Sequence, residues 1–178
     1  MANSFLVSCD NAHAIHPNHP EYTDKGHGVA LNGGVVLKHN ANQRYTTDAV
    51  SAAIFRTVCA EAGVAVQDFT NRADLAGGST LGNIANTQVS LNTVDIGLPQ
   101  LAMHSAWETA GAEDTESLVK ALTVFYGKTL QTGGDGVYRL ICYPPPLSFR
   151  AKRGIFCNRP RKDSSSLMLL RMTWKQIF

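Results

Sequence analysis

Phe5-Leu6-Val7-Ser8-Cys9-Asp10-Asn11-Ala12-His13-Ala14-Ile15-His16-Pro17-Asn18 runs from an apolar start into a dense set of metal-binding side chains. Phe5, Leu6 and Val7 read as a short buried strand, with Asp10 just past its end. Open α/β sheets bind ligands at the carboxyl ends of their strands, so this carboxylate falls where a site is built. His13 and His16 follow at three-residue spacing, and carboxylate and imidazole are ligands that zinc accepts.

Outward from this stretch the chain alternates strand-like and helix-like segments. Val35-Val36-Leu37 reads as a second buried strand with Lys38 at its exit. From Thr46-Thr47-Asp48 to Glu61 the apolar positions Val50, Ile54 and Val58 recur every four residues, Thr or Asp can cap, and Gly63 can end the helix. Val64 to Phe69 alternates like a strand. Gly77-Gly78-Ser79-Thr80 is a tight turn that can feed a helix through a Ser cap, and Thr93-Val94-Asp95-Ile96-Gly97 reads as a further strand. Thr115 can cap a helix with the face Leu118, Leu122 and Phe125, closing near Gly127. The order predicts an α/β fold with a parallel or mixed sheet flanked by helices.

Bulk composition narrows the function classes. No run approaches the roughly 20 apolar residues of a membrane span, so no membrane association is expected. The N-terminus lacks a basic segment followed by an apolar one, and Cys9, Cys59, Cys142 and Cys157 form no close pair. Reduced thiols in a cytoplasmic protein are the expectation. Charge divides the chain in two: seven Lys/Arg against twelve Asp/Glu up to residue 131, and nine against two beyond it. We therefore expect one domain over 1–131 and a basic, Pro-containing, irregular tail over 132–178. The tail holds Tyr143-Pro144-Pro145-Pro146, which forbids regular helix there, and Arg150-Ala151-Lys152-Arg153. Its abrupt composition would suit an out-of-frame or read-through segment. No base-reading motif accompanies the charges, so nucleic acid is not an expected partner.

Taken singly, the candidate residues have ordinary readings. His104 follows an apolar run beside Met103 and reads as a hydrogen-bonded core histidine; His16 and His19 bracket prolines and read as loop packing. Lys38 at a strand exit reads as a solvated charge, or as a partner for an acidic substrate group. Gly77-Gly78-Ser79-Thr80 lacks the lysine of a nucleotide-binding P-loop.

Together, and in order, the motifs are far more specific. Asp10 to Asn18, Leu37-Lys38-His39-Asn40-Ala41-Asn42-Gln43-Arg44-Tyr45, Asn71-Arg72-Ala73-Asp74, Gly78-Ser79-Thr80-Leu81-Gly82 and Val94 to Ser105 resemble the aspartyl aminopeptidase family of cocatalytic metallopeptidases. The resemblance runs from about Phe5 to Lys128 and matches the C-terminal part of the catalytic domain. It implies a partial zinc-peptidase-type fold and release of N-terminal residues, preferably Asp or Glu, from peptides with a free N-terminus. Asp10 and His104 match metal ligands, one for each of two zinc ions. His13 matches a substrate- or transition-state-binding histidine, Lys38 a lysine for the acidic substrate side chain, and Tyr45 a tyrosine at the reacting centre.

The family's early histidine ligand, bridging aspartate and Glu-Glu pair have no counterpart among these residues, nor does its inserted domain. A chain with two ligands and no general base is expected to be inactive alone. The family forms large homo-oligomers, so assembly is expected of the intact protein. The alternative is a non-catalytic subunit or interaction module that needs a separate N-terminal half.

Overall fold

The computed structural model describes residues 3–133 and 137–142. Within them the elements run β1 (Phe5–His13), β2 (Val35–His39), α1 (Ala49–Ala62), β3 (Val66–Thr70), α2 (Leu81–Gln88), β4 (Asn92–Leu101), β5 (Thr109–Ala110), α3 (Ala112–Tyr126), β6 (Lys128–Thr132) and β7 (Tyr138–Cys142). The main sheet has the order β1-β4-β2-β3, with β5 added to the end of β4. β1 runs parallel to β4 and β2 parallel to β3, while β2 and β4 meet antiparallel. The expected mixed α/β sheet is therefore two parallel pairs joined back to back.

Strand alternation sorts the side chains into two faces. On one face Val7, Val35, Leu37, Val94 and Ile96 meet Ala52, Phe55 and Cys59 of α1 and Ala121 of α3, forming the main core. The other face carries a smaller cluster of Ala12, Val36 and Phe69 closed by Val29 and Tyr45. α2 approaches that second face, its Gly82 N–H donating to Ser8 Oγ at 3.1 Å. Polar side chains of β1, β2 and β4 interrupt the same surface, and the candidate site is built there.

Several boundaries differ from the sequence expectation. β1 continues through Asp10 to His13, because backbone pairing with β4 persists across nine register positions whatever the side chains are. Lys38 likewise lies inside β2 rather than at its exit. The Asp48 cap and the Gly63 end of α1 are as expected, and Ser51 completes a reciprocal cap with Asp48. α2 starts after Thr80, while the Ser79 hydroxyl turns to Asn83 Oδ1 at 2.9 Å. α3 starts three residues before Thr115: extended Gly111 precedes it, and Glu113 and Asp114 place acidic groups in its first turn.

Regular structure continues past Thr132, since β6 and β7 form an antiparallel hairpin with Leu130 opposite Leu140. Thr132 ties it to the chain start, its N–H and hydroxyl both donating to Asn3 Oδ1. The triple proline and the basic run lie outside the described residues. Among the described residues, no helix is long and apolar enough to cross a membrane.

Candidate functional site

Asp10 sits in the carboxyl half of β1, opposite Gly97 of β4. Its side chain is 61% exposed; Oδ1 accepts the Asn11 N–H at 2.7 Å and Oδ2 lies 3.9 Å from Lys38 Nζ. Lys38 is the buried half of that pair, with only 3% of its side chain exposed. Burial drives its pKa down, while the charges of Asp10, Asp95 and Cys9 push it back up. The stem of Lys38 passes close over β4, because a Cβ at Gly97 would stand 2.9 Å from Lys38 Cε and 2.4 Å from the Asp10 carbonyl oxygen. The bare backbone at Gly97 is what lets the ammonium reach Asp10.

Tyr45 packs beside this pair from the loop before α1. Its ring lies 5.5 Å from Lys38 Nζ and 6.3 Å, centroid to centroid, from Phe69, and its hydroxyl donates to Asn71 Oδ1 at 3.3 Å. Burial raises the phenol pKa, so the group stays a hydrogen-bond donor at neutral pH. The His13 ring stands 6.5 Å, centroid to centroid, from that of Phe69. The residue is exposed overall, and partial desolvation of its ring lowers its pKa below 6.5, as do the neighbouring charges of Lys38 and His104, against Asp10. The ring is thereby biased to its neutral form.

His104 is not a core residue. It lies in the 102–108 turn that reverses the chain between β4 and β5, and it is exposed. The turn holds two non-glycine residues at positive φ, Ala102 at 54° and His104 at 69°. Such conformations are costly, and His tolerates them better than most residues. The His104 N–H donates to Glu108 Oε1 at 2.6 Å, bracing the turn. Since β1 and β4 are parallel, His13 and the turn bearing His104 lie toward the same end of neighbouring strands.

Asp10, Lys38 and Tyr45 thus share one sheet face, with His13 beside Phe69 and the turn bearing His104 at the same end of the strands. Asp10, Lys38 and Tyr45 are in direct succession. His16 and His19 stay apart in the exposed loop, their rings tilted at 35° with centroids 5.4 Å apart. Four neighbours had no role in the sequence reading: Asn71, Asp95 and Gly97, which lie inside its motifs, and Glu108, which lies outside them. Asp95 had a visible signal, an acid between the apolar Val94 and Ile96, which marks a polar side chain on the face away from the main core.

The donor chemistry fits zinc in kind and falls short in number. Carboxylate and imidazole are zinc ligands, and the His104 ring makes no hydrogen bond among the described residues. No group of three or more His, Cys, Asp or Glu converges among those residues, whereas zinc sites use three or four protein ligands.

Comparison with known proteins places these residues in context. The family model for Aminopeptidase I zinc metalloprotease (M18) matches residues 1–126. A probable M18 family aminopeptidase 2 from Pseudomonas paraeruginosa is 52% identical over 129 residues, covering 72% of this chain and 30% of the relative. The cryo-EM structure of the Ape4 and Nbr1 complex contains a similar chain at TM-score 0.70 and 40% identity, covering 71% of this chain and 24% of that one. The S. cerevisiae mApe1 dodecamer is similar at TM-score 0.63 and 32% identity, covering 70% and 27%. The chain therefore spans about 30% of the length of the curated relatives it matches.

Proposed function

The chain belongs to the Aminopeptidase I zinc metalloprotease (M18) family, and from that premise we propose that it forms part of a two-zinc aminopeptidase acting on peptides with an acidic first residue. The observation that carries this reading is the buried Lys38 ammonium held between Asp10 and Tyr45. In the proposal Asp10 and His104 are ligands for separate zinc ions. Bound zinc would supply Lewis acidity at the scissile carbonyl.

The remaining roles belong to this chain's own side chains. Lys38 presents a cation whose desolvated surroundings strengthen attraction to a substrate carboxylate. Tyr45, kept as a phenol, would turn its single O–H from Asn71 Oδ1 to donate toward the reacting oxygen. His13, biased neutral, can donate from one ring nitrogen while accepting at the other. Residues 1–131 constitute the peptidase portion in this reading, and 132–178 an appendage to it. The mApe1 dodecamer supports homo-oligomeric assembly for the complete protein, and a cytoplasmic setting is part of the same proposal.

Two donors cannot retain two zinc ions, and none of the five residues is placed as a general base, so these 178 residues alone are proposed to be inactive. The test compares the purified chain, with added zinc, against the same chain completed by the upstream portion of the Pseudomonas relative. Chromogenic Asp-, Glu- and Ala-anilides are the substrates. We expect silence from the chain alone and zinc-dependent hydrolysis favouring Asp and Glu from the completed protein. In the latter, Lys38→Ala should lower kcat/KM by roughly tenfold or more on acidic substrates and much less on Ala, in line with loss of a charge-assisted hydrogen bond. Zinc-dependent turnover by the chain alone would reject its inactivity, and equal losses on both substrate types would reject the role of Lys38.

A further inference from the structure

Asp95 carries the strongest unassigned chemistry among the described residues. It lies in β4 between Val94 and Ile96, which face the main core, so its side chain projects to the opposite face. It is fully buried. Oδ2 accepts both the N–H of Thr46 at 2.6 Å and its hydroxyl at 2.8 Å. The Thr47 hydroxyl makes a second clasp, accepting the Asp95 N–H at 2.9 Å and donating to the Asp95 carbonyl oxygen at 3.3 Å. These contacts hold the two residues that directly follow Tyr45.

Two further observations tie the carboxylate to the pocket. The antiparallel β2–β4 register, Val36 opposite Gly97 and Leu37 opposite Ile96, carries Lys38 to the position across from Asp95. On the other side, a Cβ at Gly82 would stand 2.8 Å from both Asp95 oxygens, so the start of α2 sits directly on the group. Oδ1 nevertheless accepts no hydrogen bond from the described residues. A half-satisfied buried carboxylate is destabilising beside an apolar alternative of the same size, which points to a role in arrangement rather than in bulk stability.

We propose that Asp95 is a positioning residue of the pocket: its carboxylate fixes Tyr45 through Thr46, while the Thr47 hydroxyl clasps only the Asp95 backbone, and so holds the ring against Lys38 on the neighbouring strand. The phenol and the ammonium then stand at a set separation, so the residue would govern how an acidic substrate side chain is seated. This deepens the pocket reading of Lys38 and Tyr45 and rests on it, but its test needs no catalysis and can fail separately.

The experiment is NMR on the full 178-residue chain, recording amide hydrogen exchange and contacts between aromatic rings. In Asp95→Ala the Thr46 amide should exchange at least about tenfold faster, because its charged acceptor is gone. The Tyr45–Phe69 ring contact should be lost, while α3 amides keep their rates. Asp95→Asn retains an acceptor oxygen in the same shape and should restore most of both. If Asp95→Ala does not fold, Thr46→Val decides; it removes only the hydroxyl bond and should speed Thr46 exchange by about threefold to tenfold with a weakened ring contact. The proposal is overturned by an unchanged ring contact and Thr46 rate in whichever variant decides. Exchange that rises equally in α3, or an Asn variant no better than Ala, would also overturn it.

Discussion

A methyl group at Gly97 is the most local way to disturb the pocket. Its carbon would arrive 2.9 Å from Lys38 Cε and 2.4 Å from the Asp10 carbonyl oxygen, both inside contact distance. Overpacking of this kind typically costs about 1–3 kcal/mol, so Gly97→Ala should lower the urea midpoint accordingly. An unchanged midpoint would mean that the Lys38 stem takes another course. His13 supplies a pH dependence with a definite sign. Its folded pKa lies below 6.5, so as pH falls through that value the unfolded chain gains a proton that the folded chain resists. The stability it contributes is complete above about pH 6.5 and is lost toward the lower folded pKa. The stability gap between wild type and His13→Gln, from denaturation curves, should therefore be smaller at pH 5 than at pH 7.5; a gap that widens on acidification contradicts this. The five candidate residues could be named from the sequence through the ordered motifs of the family resemblance, and their roles at the site are part of the proposal. The burial of Lys38 was not legible, since it is made by Gly97 and Tyr45, which lie on separate elements.

At the scale of elements, the two long helices begin in different ways, and this predicts different sensitivities. α1 has a local cap: Asp48 Oδ1 accepts the Ser51 N–H at 2.7 Å, and Ser51 Oγ accepts the Asp48 N–H at 2.9 Å. Replacing such a cap by Ala costs about 1 kcal/mol. α3 has no side-chain cap, but the fully buried Asp114 of its first turn reaches back across the fold. Asp114 accepts the N–H groups of Asn32 at 2.8 Å and Gly34 at 2.9 Å, tying α3 to the turn that launches β2. Asp114→Ala strands two backbone donors and should cost about 2–4 kcal/mol. Chemical denaturation of Asp48→Ala and Asp114→Ala side by side checks the contrast, and a smaller loss at Asp114 would reject the long-range clamp. The same contrast explains what could be read in advance. α1 was readable at both ends because its signals, Asp48 and Gly63, lie in the adjoining sequence. The start of α3 was not, because its stabilising partners lie about 80 residues upstream. β5, at two residues, is too short for any periodicity, and its place depends on pairing with Gln100 and Leu101.

For the molecule as a whole, the outer strands of the sheet are unequally protected. β3 ends the sheet with Asp68 paired to both Arg56 and His39, polar company that discourages further pairing. β1 ends it at the other side with nine residues, Phe5–His13, among which Asp10 is the only acidic group and there is no Lys, Arg or Pro. Among the described residues, its backbone pairs with β4 alone. Leu81 and Ile84 of α2 are also exposed, as is Leu75 in the loop before it. A long unguarded edge together with exposed apolar side chains favours association of the chain with itself. The purified chain should therefore elute as concentration-dependent oligomers when light scattering follows size exclusion at about 5–100 µM, the range in which exposed edges aggregate. Asn11→Lys places a charge on this edge at an exposed position and should shift the distribution toward monomer. Val119→Lys, on the exposed surface of α3, should leave that distribution unchanged if the edge drives association. A wild-type chain that stays monodisperse and monomeric across the range, and melts in one cooperative step, would show that β1 is guarded by something other than its own residues.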